Sequence, residues 1–271
     1  MLSTTYPDRG GTAIGLTMAA GDLGNTLLPP LAGVLAVTVA WKLGFGLAIP
    51  LFLVATAGIW IAVPGDERSP ESKSAGPIEL TGTLRRISGA LWDRSIAIVT
   101  VIQTLGYCIW QGFTGFYPTY LVEVKGIAPP TATVLFGGFF ALGIFIKPIA
   151  GSAYDLYGLR RSLPLMLVSI TASMLLVPLA DGLVSLVAIT ALASSVLGYG
   201  TMTLTYLTDS LPDDVRGTGL GFLRTGYMLI GAGSPTLIGV LADAGYFDQA
   251  FFLLASVGGI AALLSLSVPD R

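Results

Sequence analysis

GTAIGLTMAAGDLGNTLLPPLAGVLA, residues 11 to 36, and GTGLGFLRTGYMLIGAGSPTLIGVLA, residues 217 to 242, carry one pattern twice, without a gap. Gly11, Thr12, Gly15, Leu23, Pro29, Leu31, Gly33, Val34, Leu35 and Ala36 recur as Gly217, Thr218, Gly221, Leu229, Pro235, Leu237, Gly239, Val240, Leu241 and Ala242. Two apolar helices can resemble each other for lipid reasons alone, but shared glycines and prolines do not follow from apolarity. The segments after each copy stay in step, ending Ala62-Val-Pro64 and Ser267-Val-Pro269. Each copy has 26 residues. At about 1.5 Å per residue that length exceeds the ~30 Å hydrocarbon core of a bilayer.

The rest of the chain has the same character. Its 271 residues are 53% hydrophobic and 11% charged, and the mean hydropathy is +0.78. Soluble domains carry about a quarter charged residues, so this composition cannot cover its own exterior with solvated groups. The expected fold class is an all-α polytopic membrane protein. The absence of histidine removes the commonest zinc ligand and neutral-pH proton shuttle. With one cysteine, Cys108, the chain has no internal disulfide, and neither a metal site nor a cofactor is expected. A net charge of −2, with no basic block longer than Arg85-Arg86 or Arg160-Arg161, excludes a nucleic-acid footprint.

Eight apolar stretches between turn or charge clusters predict spans at 12–36, 42–63, 95–122, 131–153, 162–180, 183–208, 217–242 and 247–268. Arg9, Arg68, Lys73, Arg85, Arg86, Arg94, Arg160, Arg161, Arg216 and Arg271 fall on one side of these spans, and Lys42 and Lys125 on the other. Positive charge marks the cytoplasm, so both termini are expected there, in a multi-pass protein of the cell membrane. The opening residues show no signal-peptide pattern. Residues 64–94 read as a cytoplasmic linker between 1–63 and 95–271. In its second half Leu80, Leu84, Ile87 and Leu91 recur at helical spacing, as in an amphipathic helix on the membrane surface. A polar loop containing some leucines is the alternative.

A repeat period of six helices, with two helices before the linker and six after, leaves four unaccounted for at the start of the first repeat. Six-helix repeats joined by a cytoplasmic linker are a plan of secondary transporters. Residues 151–163, Gly151-Ser-Ala-Tyr-Asp155-Leu-Tyr-Gly158-Leu-Arg160-Arg161-Ser-Leu163, resemble the signature G-x-L-a-D-r-x-G-r-k-x-x-l of the major facilitator superfamily. Gly151, Asp155, Gly158, Arg160 and Leu163 match it, while Ala153, Leu156 and Leu159 depart. Gly15, Gly24, Pro29 and Gly33 resemble the family's fifth-helix motif, from which Leu28 and Ala32 depart. The resemblance covers the whole chain and aligns the eight spans with the family's helices five to twelve. It implies an incomplete major-facilitator bundle and secondary active transport of a small solute by alternating access. The fifth-helix motif, which is associated with proton-coupled antiporters, implies coupling to protons. The signature's resemblance, carried across the internal repeat, implies that Asp155 braces the start of the first span, near Arg9. The alternative is a non-transporting membrane fragment that needs the missing helices.

Charges inside hydrocarbon cost a few kcal/mol each, which singles out Asp22, Lys147 and Arg224. Lys147 and Arg224 lie about two turns from a span end and could instead snorkel to the headgroups. Thr100, Gln103, Thr104, Tyr107 and Gln111 share one face of the third span, a stripe too polar for lipid. It lines either a solute path or a helix seam. Trp110 and Tyr117 could add aromatic wall to that path. Gln103, Tyr107, Gln111, Arg224, Asp22 and Lys147 are therefore the candidate pathway residues, and two interior cations against one acid favour an anionic solute. Intramembrane proteolysis is the enzymatic rival, but Gly21-Asp22 and Tyr154-Asp155 occur in reversed order relative to that chemistry, so no enzyme is expected. The sequence leaves the oligomeric state open. A cysteine substituted at Gly126 should react with an impermeant thiol reagent added outside cells, and one at Ser74 should not. The opposite labelling overturns the orientation.

Overall fold

The computed structural model of the chain describes residues 9–38, 42, 46, 48–62, 89, 93–212 and 215–269. They form α1 (Gly10–Thr38), α2 (Ala48–Ala62), α3 (Arg94–Glu123), α4 (Pro129–Tyr157), α5 (Leu159–Leu179), α6 (Leu183–Ala193), α7 (Val196–Ser210), α8 (Arg216–Gly231), α9 (Gly233–Asp243) and α10 (Phe247–Ser265). No strand occurs among the described residues. The predicted amphipathic helix and most of the 64–94 linker lie outside them.

Local chemistry sets the ends of these helices. The Asp93 carboxylate accepts hydrogen bonds from the amides of Ser95 at 2.8 Å and Ile96 at 3.2 Å, capping α3. Pro129 and Pro130 open α4, where the missing amide protons would have had no partner. At its other end Gly158 adopts φ +74°, donates its amide to the Tyr154 carbonyl at 2.9 Å and starts α5 in the next residue. Gly126 turns between α3 and α4 at φ +65°. A cysteine there is strained, so the exposed Ala128, two residues on, is the better labelling position in that loop.

Six described stretches are long and apolar enough to cross a membrane: Arg94–Glu123, Pro129–Tyr157, Leu159–Leu179, Leu183–Ser210, Arg216–Asp243 and Phe247–Ser265. α1 is long enough, but Asp22, Asn25, Pro29 and Pro30 dilute its apolar character. α2 has 15 residues. Two of the spans read as continuous in sequence are broken. Residues 183–208 divide at Ser194-Ser195, where amides switch to carbonyls three residues back and the Ser194 hydroxyl donates to the Ala191 carbonyl. Residues 217–242 divide at Ala232. Pro235 has no amide proton and its ring crowds the carbonyl four residues earlier, so α8 ends at Gly231.

Helix packing follows residue size. α1 lies along α4 more extensively than any other pair of helices touch. A Cβ on Gly15 would stand 2.5 Å from the Lys147 carbonyl oxygen, and one on Gly11 would stand 2.6 Å from the Gly151 carbonyl oxygen. A Cβ on Gly151 would overlap the Gly11 carbonyl. Association in lipid relies on such close backbone approach. Towards the opposite end of the bundle, Phe113, Tyr117, Tyr120, Phe139 and Phe251 form a fully buried aromatic core joining α3, α4 and α10. Phe113 stacks on Tyr117 with centroids 4.4 Å apart. The outer surface is apolar, with Val184, Leu229 and Leu165 at least three-quarters exposed, as suits a surface solvated by lipid. Gly151→Ala should therefore lower the melting temperature in detergent, by an overpacking cost of about 1–3 kcal/mol. Gly137→Ala, in the same helix with open space around it, should not.

Candidate functional site

The seam between α1 and α4 ends in a carboxylate clamp. Asp155 Oδ1 accepts the Gly11 amide at 2.9 Å, and Oδ2 accepts the Thr12 amide at 2.8 Å and the Thr12 hydroxyl at 2.7 Å. These are first-turn amides that the helix itself cannot satisfy, and the positive end of the helix dipole favours the charge. Arg9, just before them, is exposed. Gly151 lies inside the seam, Gly158 forms the turn, and Arg160 and Arg161 are exposed at the start of α5. Gly15 is a close contact of the seam. Gly24 has only the Leu28 side chain near it, at 3.8 Å, and Pro29 and Gly33 fall within α1.

About two turns further along the same seam, Asp22 Oδ1 and Lys147 Nζ are 2.7 Å apart, and Lys147 also donates to the Met18 carbonyl at 3.3 Å. Lys147 is thus held inside the bundle and does not snorkel. Asp22 is 2% exposed, and its second oxygen has no hydrogen-bond partner among the described residues. Gly143 makes room for it, because a Cβ there would overlap that oxygen and the Leu197 side chain.

The pair forms one wall of a cavity of about 310 Å³ between α1, α3, α4, α7 and α8. Asn25, Gln103, Tyr107, Trp110, Tyr199, Arg224 and Tyr227 also line it. Tyr107 packs against Trp110 and Tyr227, with centroids 5.4 Å and 5.2 Å apart, and Gly231 leaves space for its ring. Gln103 accepts a hydrogen bond from the Thr203 hydroxyl, so it serves a helix seam and the cavity wall together. Arg224 is exposed, with no carboxylate in ion-pair range among the described residues. The cavity thus carries one balanced pair and one unbalanced cation.

The structure brings together five of the six candidate pathway residues. Gln111, two turns beyond Gln103, is half-buried but does not line the cavity. Thr100 and Thr104 spend their hydroxyls on carbonyls of their own helix, at 2.7 Å and 2.8 Å. Tyr117 is buried against Thr190 in the aromatic core, away from the cavity. Asn25, Tyr199 and Tyr227 went unread, although Tyr227 lies one turn after Arg224 and so shares its face.

These features define a helical membrane protein with a polar, cation-bearing cavity between its helices. The family model described as Major Facilitator Superfamily matches residues 1–207 and 99–271, and the chain belongs to that superfamily. It is similar to the hexuronate transporter of Bacillus subtilis (strain 168), 27% identical over 284 aligned positions that cover 97% of this chain and 65% of that protein. It is also similar to the nitrite extrusion protein of the same organism, 23% identical over 199 positions, with 73% of this chain and 48% of that protein covered. A probable sulfoacetate transporter of Cupriavidus necator (strain ATCC 17699) is 25% identical over 289 positions, covering 95% and 64%. The chain therefore spans less than two thirds of the length of each of these relatives. The family and these relatives are transporters of small solutes, not enzymes. Removing one member of the buried pair, by Asp22→Asn or Lys147→Met, leaves an uncompensated charge or an unsatisfied dipole and should cost about 3–5 kcal/mol in a denaturation measurement. The double variant should recover most of that loss, and additive losses would show that the two side chains act independently.

Proposed function

We propose that the chain carries the solute site of a secondary transporter for a small organic or inorganic anion. The observation that carries this reading is the charge balance of the cavity. Asp22 neutralises Lys147, and Arg224 is left as a cation facing a space of about 310 Å³. A guanidinium presents a planar fork of donors suited to a carboxylate, nitrite or sulfonate group. Gln103 adds a polar contact, and Tyr107 and Trp110 an apolar flank for the body of the solute. The names of the three relatives support the same class, since hexuronate, nitrite and sulfoacetate are all anions.

In this reading the eight spans, α1 and α2 included, lie in the cell membrane as the last two helices of one half and the six of the other. Both termini and the 64–94 linker face the cytoplasm. The Asp155 clamp on α1 closes the cytoplasmic side of the α1–α4 seam in one state and releases it in the other, giving alternating access. Met18, bonded to Lys147 through its carbonyl, ties that seam to the cavity. Solute arrival beside Lys147 competes with Asp22 for the ammonium, and a carboxylate so released binds a proton, so solute and proton load together as in a proton-coupled permease; in an antiporter the two would have to exclude each other.

The test is solute flux in proteoliposomes holding the full-length protein, with glucuronate, nitrite and sulfoacetate as probes and a neutral sugar as control. Arg224→Ala should lower flux of the preferred anion by at least about tenfold, the worth of a hydrogen bond to a charged group. Arg224→Lys should recover only part of it, and membrane levels should be unchanged in both. Full flux in Arg224→Ala would remove Arg224 from the solute site.

A further inference from the structure

A second cavity lies on a different face of the bundle. It is about 510 Å³ in volume and runs along the outside of α4 and α5, with α7 as its floor. Ile149, Ala153, Leu165, Ser169 and Met202 line it, and almost all of its surface is apolar. The Ser162 hydroxyl in its wall is already spent on the Ala153 carbonyl at 2.9 Å. Ile149 and Leu165 are 64% and 75% exposed, so the groove opens sideways, towards the lipid. None of the solute-cavity residues lines it.

A cation stands exposed at one end of the groove. Arg161, in the first turn of α5, stands there exposed, with no carboxylate in ion-pair range among the described residues. Tyr157, the last residue of α4, is beside it and 63% exposed. From Arg161 to Ser169 the groove follows α5 for about 12 Å at 1.5 Å per residue. Arginine and tyrosine at helix ends mark the headgroup level, and the groove descends from there into the hydrocarbon.

We infer that this groove is a binding site for one anionic glycerophospholipid, with its phosphate on Arg161 and an acyl chain along Ile149, Leu165 and Ser169. Charge and shape both select this occupant. A free anion has no use for an apolar trough, and a zwitterionic lipid presents a competing cation to Arg161. Basic positions between helices at the cytoplasmic headgroup level attract anionic lipids on general electrostatic grounds. The inference is independent of the solute assigned to the other cavity.

Native mass spectrometry of the full-length protein in neutral detergent tests it, with dioleoyl phosphatidylglycerol and dioleoyl phosphatidylcholine as probes of equal chain length. The tightest adduct should favour phosphatidylglycerol by at least about fivefold, the contribution of one basic residue at an anionic headgroup. Arg161→Gln should abolish the preference, while Arg94→Gln, an exposed arginine outside the groove, should keep it. Ser169→Phe should fill the trough and weaken both lipids. Equal affinity for the two lipids in the parent protein, equal loss in the two arginine variants, or unchanged adducts in Ser169→Phe would each overturn the site. Arg161 is exposed, so its substitution does not threaten the fold, and lipid binding is read without any transport measurement.

Discussion

Everything on the inner side of this bundle is arranged about the contact between α1 and α4, where one carboxylate carries three hydrogen bonds from the start of another helix. Asp155 takes two amides that α1 cannot satisfy itself, and in a medium without water such groups must find protein partners. The clamp fixes α1 along its axis. The glycines at 11, 15 and 151 then fix how near it lies, because any side chain there would separate the backbones. Axial position and distance together bring Asp22 within reach of Lys147.

That buried pair decides the electrostatics of the cavity. Alone, an acid or an ammonium at this depth would be expensive. Paired at 2.7 Å, with an added bond to the Met18 carbonyl, the two cancel each other's field. The cavity then derives its sign from Arg224, which belongs to the other repeated helix and faces the pair across the cavity. The two copies of the repeat have thus diverged in charge at their inner faces. Asp22 in one and Arg224 in the other lie at non-equivalent positions, since the partner of Asp22 in the repeat is Met228.

Much of this was visible in the residues. Long apolar runs announce helices whatever their tertiary context, and the repeated glycines and prolines announced the relation between α1 and the α8–α9 segment. The meeting of Asp155 with the start of α1 followed from that symmetry. The breaks at Ser194 and Ala232 were harder to read, because serine tolerates helix and proline at 235 signals a bend without saying that the helix will stop. The polar stripe of α3 is longer than the stretch of helix that faces the cavity. A helical wheel cannot tell a threonine bonded to its own backbone from one facing a cavity, nor how far along the axis the cavity extends. So Thr100, Thr104 and Gln111 shared a face with Gln103 without sharing its surroundings. Tyr199 and Tyr227 escaped because aromatic residues in apolar spans read as packing, and only the structure shows that Gly106 opens the space beside Tyr199.

Gly143 has a consequence for how the sequence can change over time. With hydrogen as its side chain, it leaves a niche that the unbonded oxygen of Asp22 fills. A methyl group at 143 and a carboxylate at 22 cannot occupy the same place, so neither position is free to drift while the other stays fixed. Descendants that replace the acid with a smaller residue can enlarge residue 143 once the Leu197 side chain also gives way, whereas descendants that keep it inherit a glycine three helices on in the chain. Residues 22 and 143 therefore form a linked pair of characters. Across a set of homologues, a side chain at 143 should accompany a residue smaller than aspartate at 22.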